Sequence, residues 1–418
     1  MIKKIRTEDL QVGMFVEDFN TPWLHHPFFT KRKLLRRPRD IQVILEHGIP
    51  EVLINTAKGK DLPRDPAPRR RPSAPVPAGP PSPPREPRPA AFSEELHRAR
   101  AVYTEAEEVI RAAFEELGRG RALEPEPIQR TVRELISSVF RNRDALVSLT
   151  GIRSHDEHTF RHSVNTAVYA LCLGAHLGIL QQELLILGVG ALLHDVGKTR
   201  LPRDLLLREA RLGPRDRERF RQHPLHGAKI VLDTRGLPKG CAALALNHHE
   251  RHDGGGYPRG ISGGALGKLA SVTAIADTYD TLLRPRGGRG ALSPHHAVRC
   301  IYQGAHSAFP PVMAQKFVQC FGVYPLGSAV ELDTGEVGVV CRLNPGHLLH
   351  PRVRVVRDRG GRPLARPFDV DLRPPEGPGA CPAGRSIVRA LGAEEAGMDV
   401  AQLLAAPPAP GAAAAPAP

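Results

Sequence analysis

The chain has 418 residues, 41% of them hydrophobic but only 5% aromatic, with 58 Lys+Arg against 44 Asp+Glu and a formal net charge of +14. That is apolar material for roughly two to three domains, with cores resting on Leu, Val, Ile and Ala. No apolar run approaches the ~20 residues of a spanning helix. The opening MIKKIRTEDLQVGMF lacks the apolar centre of a signal peptide, and the six cysteines show no CxxC spacing, so a cytoplasmic protein with reduced thiols is expected. The basic excess favours anionic partners such as nucleotides, nucleic acid or acidic lipid. A chain rich in Arg, Ala, Gly and Pro throughout explains it equally well.

Residues 1–62 read as a small α+β unit. LQVGMFV is a short β-type run, and DIQVILEHGIPEVLIN reads as a helix, a turn at Gly48 and a strand. Trp23 is its expected core anchor, with His25 and His26 beside it as packing or surface residues. Residues 63–90, RDPAPRRRPSAPVPAGPPSPPREPRP and neighbours, are expected as an extended linker because proline fixes φ and lacks a donor.

Residues 91–322 read as helical. Ser93 is the expected N-cap of a helix ending at Gly118. Pro127 opens a second, with Ile128, Val132, Leu135, Ile136 and Val139 at helical spacing. Amphipathic segments follow at 160–178, 182–195, 215–232, 240–250, 266–283, 293–303 and 310–321. With no βαβ alternation, the expected fold is mainly α, an all-α helical bundle. Residues 323–375 alternate around Thr334-Gly335 and add RVRVVRD, predicting a small β-rich appendage. The Ala/Pro-rich stretch 376–418 is expected to be mostly disordered.

The helical zone carries the chemistry. His162 lies in EHTFRHSVNT, His194 and Asp195 in LLHDVGK, His223 in RQHPLHG, His248 and His249 in NHHERHDGGGYP, and Asp277 in AIADTYD. Helix ends gathered at one end of a bundle can aim such side chains into a shared cleft. Imidazole with carboxylate suits Fe, Mn or Zn rather than Ca. Two cations roughly 3.5–4 Å apart lower the pKa of a shared water and neutralise phosphoryl oxygens, the chemistry of phosphodiester hydrolysis. Asp195 is the expected bridge and Lys198 the cation for a substrate phosphate. Glu250 is expected to orient a ligand from behind. Taken singly, a histidine is a packed or surface residue, and His97, His176, His226, His252, His295, His296 and His306 are read so. The glycines at 254–256 suit either a tight turn or a loop whose backbone approaches a ligand or partner.

HDVGK at 194–198, HPLHG at 223–227, HHERHDGGGYP at 248–258 and ADTYD at 276–280 resemble the motifs of the HD-GYP family, a branch of the HD metal-dependent phosphohydrolases. The resemblance covers about 150–322, and residues 1–62 look like the small domain of unknown function often found before HD-GYP domains. It implies an HD-type bundle that hydrolyses cyclic di-GMP to pGpG and often on to GMP, lowering second-messenger levels and so affecting motility and biofilm behaviour. It implies two, sometimes three, divalent metals, commonly iron or manganese. His162, His194, Asp195 and Asp277 would surround one, and Asp195, His223, His248 and His249 the other. Asp195 and Lys198 are the implied catalytic pair. Lys198, Arg284, Gly256, Tyr257 and Pro258 are the implied substrate contacts. A third metal would call on Glu157 or His158, where the family has a glutamate one turn before the first ligand. The chain departs from the family again at 284–289, where Arg-Pro-Arg-Gly-Gly-Arg stands for Arg-Pro-aromatic-Arg.

Three other readings remain open: a phosphohydrolase of another nucleotide, a module that docks partners such as diguanylate cyclases through the GYP loop, and nucleic-acid binding through the basic surface. The last is weakened by the scarcity of aromatic stacking residues. A homodimer through a long helix at 93–118 is a further expectation.

Overall fold

The computed structural model describes residues 2–18, 33–35, 37–46, 51–60, 89–151, 158–285, 290–374, 385–392, 395, 398 and 400–405. The expectations for Trp23, His25, His26, Gly48, most of the linker, Glu157, the loop 286–289 and the chain beyond 405 fall outside these residues. The chain divides into two compact units, 1–83 and 84–418.

In the first unit, β1 (Ile2–Arg6), β2 (Phe15–Asp18), β3 (Lys33–Leu34) and β4 (Glu51–Asn55) form one sheet in the order β1-β4-β2-β3, with α1 (Pro38–Glu46) between β3 and β4 in sequence. β4 alternates as its sequence suggests: Val52 and Ile54 turn inward onto Ile5, Val16 and Ile44. The LQVGMFV run starts its strand only at Phe15, because a turn closed by Met14 N to the Gln11 carbonyl occupies its first half.

The second unit is an α-helical body with a five-stranded sheet. Its helices are α2 (Phe92–Gly118), α3 (Pro125–Thr150), α4 (His158–His176), α5 (Gln181–Leu192), α6 (Arg203–Leu207), α7 (Pro214–Phe220), α8 (His223–Asp233), α9 (Cys241–Asn247), α10 (Lys268–Leu282), α11 (Pro294–Gln303) and α12 (Pro311–Phe321). α4 is the centre: residues 162–174 are buried without a break, as expected of a helix surrounded by others. α2, α3, α5 and α10 all contribute to the core around it. α2 begins at Phe92 with Ala91 as N-cap, two residues ahead of Ser93, and no side chain caps it. Its exposed residues include Glu94, His97, Arg98, Thr104, Glu108 and Glu115. α3 breaks at Asn142, whose side chain accepts from Ala145 N and donates to the Ala90 carbonyl.

The segment expected as one helix over 215–232 is two. Pro224 has no amide proton and its ring crowds the carbonyl four residues back, so α7 stops at Phe220 and α8 restarts at His223. The expected helix 240–250 ends at Asn247, with His248 as its C-cap and His249 just beyond.

The appendage is antiparallel: β5 (Ala329–Leu332), β6 (Val337–Arg342), β7 (Arg352–Arg357), β8 (Pro363–Asp371) and β9 (Ile387–Ala390), ordered β8-β7-β6-β5-β9. The hairpin around Thr334-Gly335 joins β5 to β6. The stretch expected to be disordered supplies β9, which pairs with β5, and a short helix, Val400–Ala405. The reason is local burial. Leu404 joins Leu326 and Val339, and the Leu403 carbonyl accepts from Arg354, itself bound to Asp369.

Candidate metal centre

Three helix ends build the site in the same way. The last carbonyls of a helix have no partner within it. Ala191 in the last turn of α5 offers its carbonyl to His194 Nδ1 at 2.7 Å, Phe220 ending α7 to His223 Nδ1 at 2.9 Å, and Ala245 near the end of α9 to His248 Nδ1 at 2.9 Å. A carbonyl only accepts, so each Nδ1 carries the proton and each Nε2 presents a lone pair. These helix ends also carry partial negative charge, which favours a cation.

The backbone brings the sets together at Gly197. A side chain there would collide with the His223 carbonyl oxygen and the Gly227 amide. The glycines of HDVGK and HPLHG thus press the Val196–Arg200 turn onto α8, putting His223 beside Asp195.

The two oxygens of Asp195 then face different histidines. Oδ2 lies 3.4 Å from His194 Nε2 and 3.8 Å from His162 Nε2, whereas Oδ1 lies 3.4 Å from His223 Nε2 and 3.7 Å from His248 Nε2. Asp277 sits on α10 with Oδ1 3.0 Å from His162 Nε2 and Oδ2 3.7 Å from His249 Nδ1. The ligand atoms fall into two groups, His162-His194-Asp195 and Asp195-His223-His248-His249, each within 4.8 Å of one another.

This donor set fits divalent cations. His162 and His194 bring their Nε2 atoms to 3.3 Å, and His223 and His248 to 3.2 Å. Lone pairs so placed repel unless positive charge lies beside them. Asp195 Oδ1 is buried without a hydrogen-bond partner, a costly state for a carboxylate oxygen. Burial alone would raise the Asp195 carboxyl, but Lys198 and His194 hold it well below the usual range. Burial likewise opposes ionisation of Asp277, and His162, His194 and His249 outweigh it. Burial pushes His248 down to about 4 and, with His248 beside it, His249 well below its ordinary value. Burial would lower His194 too, but Asp195 and Asp277 raise it.

A cleft of about 300 Å³ opens onto His162, Asp195, His249 and Asp277, lined also by Lys198, Glu209, Phe220, Tyr257, Thr281 and Arg284. Lys198 Nζ is 2.7 Å from Asp195 Oδ2 and 3.9 Å from Glu209 Oε1. Arg284 Nε is 3.0 Å from Asp280 Oδ2. Tyr257 lies over His249, centroids 4.7 Å apart, and Arg221 covers the tyrosine at 5.0 Å. Gly256 runs so close to the His249 carbonyl that a Cβ would sit 2.6 Å from it. Pro258 follows through a cis peptide. Among the expected third-metal residues, His158 opens α4 and only its backbone is described.

Glu250 departs from expectation. Its carboxylate accepts from Arg259 N and Ile261 N, at 2.8 and 3.1 Å, so it clamps the loop that carries Tyr257 rather than a ligand. Sequence reasoning missed Glu209 and Arg221, which sit in an Arg-rich run without pattern. It also missed Asp280, which binds His162 Nδ1 at 2.7 Å. Its signal was available: a second aspartate one turn after Asp277 on the same helix.

No helix among the described residues is long and apolar enough to cross a membrane. Three family models match the chain: a domain of unknown function (DUF3391) over 2–128, an HD domain over 149–311, and a KOW domain associated with HD domain over 329–375. "Cyclic di-GMP phosphodiesterase PA4108" of Pseudomonas aeruginosa is 33% identical over 358 residues, 85% of each chain. "Cyclic di-GMP phosphodiesterase response regulator RpfG" of Xanthomonas campestris is 34% identical over 32% of this chain and 36% of its own. Bd1817, an HDG"Y"P protein from Bdellovibrio bacteriovorus, is a solved structure similar over 76% of this chain and 98% of its own, with 18% identity and a TM-score of 0.45. With its HD domain, the preceding DUF3391 region and a relative alike over most of both chains, the chain belongs to the HD-GYP family.

Proposed function

We propose that this chain is a metal-dependent phosphodiesterase that hydrolyses cyclic di-GMP to pGpG, GMP or both. The observation that carries the reading is the divided Asp195 carboxylate, with one oxygen toward His162 and His194 and the other toward His223 and His248. His162, His194, Asp195 and Asp277 would hold one divalent cation, and Asp195, His223, His248 and His249 a second. Iron or manganese suits this mixture of imidazole and carboxylate. When bound, such a pair supplies Lewis acidity that activates water and offsets charge on phosphoryl oxygens.

The remaining work falls to the chain's own residues. Lys198 is half of a part-buried ion pair on the cleft floor, where its ammonium can turn from Asp195 to a phosphate oxygen. Arg284, held by Asp280 through its Nε on the cleft wall, is the second cation for the substrate's phosphates. Tyr257 packs on His249 and against Arg221, so its part is to hold His249 and wall the cleft. Gly256 and Pro258 carry that tyrosine into place, and Glu250 clamps the loop. The same reading follows from relatives named as cyclic di-GMP phosphodiesterases.

The test is an anaerobic preparation loaded with Fe(II) or Mn(II), given cyclic di-GMP, with products separated chromatographically beside a metal count. Appearance of pGpG or GMP supports the reading. Two bound metals with intact cyclic di-GMP would sink it. A docking role is the second reading, because Asp253, Gly255 and Arg259 are exposed at the loop tip while His252 N and Asp253 N anchor the loop to the carbonyls of Ala308 and Ser307. Retention of a diguanylate cyclase by the wild type and not by Arg259→Glu would favour it.

A further inference from the structure

We propose that Tyr103, on α2, is a positioning residue for the metal centre, acting through Asn165 and Asp280 on His162. The inference rests on His162 being a metal ligand and concerns how that ligand is held. Tyr103 Oη donates to Asn165 Oδ1 at 2.5 Å. Asn165 Nδ2 donates to Asp280 Oδ1 at 2.7 Å and to the Thr150 carbonyl at 3.3 Å. Asp280 Oδ2 accepts from His162 Nδ1 at 2.7 Å.

The chain has one direction. An asparagine amide offers one oxygen and one NH2. With the tyrosine hydroxyl on the oxygen, the NH2 must face Asp280; reversed, a carbonyl oxygen would meet a carboxylate. Asp280 then gives one oxygen to the amide and the other to the imidazole. That keeps the His162 proton on Nδ1 and leaves Nε2 to coordinate. Tyr103, Asn165, Asp280 and His162 are 5%, 3%, 1% and 6% exposed, so water does not replace a missing member. Burial, with Glu107 nearby, keeps the Tyr103 hydroxyl protonated and able to donate.

The origin of α2 gives the chain its interest. The DUF3391 match spans 2–128 and takes in α2, while the HD match begins at 149. By packing, α2 lies against α3 and α4 in the helical body. Arg161 to Glu107 at 2.7 Å and Phe114 edge-on to Phe160 at 5.7 Å fasten α2 to α4 further along. A residue outside the HD match therefore completes the support of a ligand inside it. A shift of α2 along α4 would reach His162 through this hydroxyl.

Tyr103→Phe removes the hydroxyl and keeps the ring. The probe is Mn(II), titrated calorimetrically into the metal-free full-length chain, with electron paramagnetic resonance of the bound ions and urea unfolding without metal. One Mn(II) is expected to bind about 10-fold or more weakly, as for other lost supports of a ligand histidine, with an altered resonance spectrum. Asp280→Asn should weaken the same ion, and Asn165→Ala gives the same readout should Tyr103→Phe fail to fold. Phe114→Leu loosens the same helix pair without touching the polar chain, and should lower stability while leaving Mn(II) affinity unchanged. Wild-type Mn(II) binding by Tyr103→Phe beside weakened binding by Asp280→Asn would overturn the inference, since the influence would end at Asp280. Equal weakening by Phe114→Leu would also overturn it, by making the effect one of packing. A chain that binds Mn(II) normally but spares cyclic di-GMP would remove the proposed activity and leave this inference standing. A chain that binds no Mn(II) would remove both.

Discussion

Lys198 Nζ lies 2.7 Å from Asp195 Oδ2, the oxygen that also faces His162 and His194. Asp195 is buried and Lys198 half-buried at the cleft, and each group holds the other charged against the cost of burial. The two residues nevertheless have separable parts. Lys198→Met leaves every metal-facing atom in place, so metal content should stay at the wild-type level while turnover of cyclic di-GMP falls about 10²–10³-fold, the usual effect of removing one charge-stabilising donor. Asp195→Asn removes the shared carboxylate, so both metal content and turnover should collapse. A metal count beside steady-state rates checks this. Loss of metal in Lys198→Met would make the lysine a structural element only.

Gly197→Ala tests the backbone contact that joins the two ligand sets. The added methyl collides with backbone atoms of His223 and Gly227 rather than with a flexible side chain. The Val196–Arg200 turn and α8 must separate, and His223 moves away from Asp195. The expected cost is about 3 kcal/mol, at the upper end for overpacking, read from urea denaturation without metal. The ion held by His223, His248 and His249 should be the one weakened. Unchanged unfolding would show that the turn is not pressed onto α8.

The metal-free protein should lose stability between pH 6.5 and 4. His248 is held at about 4 by burial, against about 6.5 in an unfolded chain. Through that window the unfolded state takes up a proton that the folded state refuses, so stability is full above about 6.5 and falls as pH drops. The loss for this residue approaches about 3 kcal/mol at pH 4. His249 is depressed by the same burial and adds a loss of the same sign. His194 is raised, so its contribution is complete below its unfolded value and is lost only at higher pH. Asp195 and Asp277 are depressed and fail only below the unfolded carboxylate range. Urea unfolding after chelation, from pH 7.5 down to 4.5, reads the slope. A flat profile would mean that water reaches these rings.

Much of the candidate centre was legible because His194, His223 and His248, three of the residues that would hold metal, sit where helices stop or start. HDVGK, HPLHG and HHERHD each place histidine near the end or start of a helix, and short motifs record such boundaries well. What supports those ligands was less legible, because it comes from single residues far apart in sequence. Tyr103 and Asn165 are 62 positions apart and Asn165 and Asp280 are 115 apart. No spacing rule links them, although Asn165 stands out as a polar residue inside the buried run of α4. The division of 215–232 at Pro224 was available from the missing proline donor, and amphipathic spacing on both sides concealed it. β9 was hidden by the low-complexity sequence around it, since four residues, IVRA, need only one strand edge to pair with.

Glu95→Gln should destabilise the helical body more than its surface-like position in the first turn of α2 suggests. The carboxylate is fully buried, accepts from Arg141 at 2.6 and 2.9 Å and from Ser138 at 2.8 Å. Replacing it leaves the Arg141 guanidinium, mostly covered, without its counter-charge. Breaking a buried pair from one side costs about 3–5 kcal/mol. The metal centre lies elsewhere along the bundle, so Mn(II) affinity should hold where the protein is folded. Urea denaturation gives the first quantity and calorimetry the second. A cost near that of an exposed pair, under about 1 kcal/mol, would mean that Arg141 finds solvent when its partner is gone.

The described cysteines should divide by reactivity. Cys172, Cys241 and Cys320 are buried and Cys341 is half-buried, whereas Cys300 is exposed. Burial pushes the thiols of Cys241, Cys320 and Cys341 up to about 12, and that of Cys172 well above its ordinary value. A thiolate is the reactive form, so these four should resist iodoacetamide at pH 8 in the native protein while Cys300 is alkylated. Mass spectrometry of the labelled peptides checks this, and urea should open the other four together with loss of the fold. Native labelling at Cys172 or Cys320 would be the informative failure. Cys320 Sγ sits 3.6 Å from the Cys172 carbonyl, where α12 closes on α4, so reagent reaching it would mean that α12 opens away from the central helix without global unfolding.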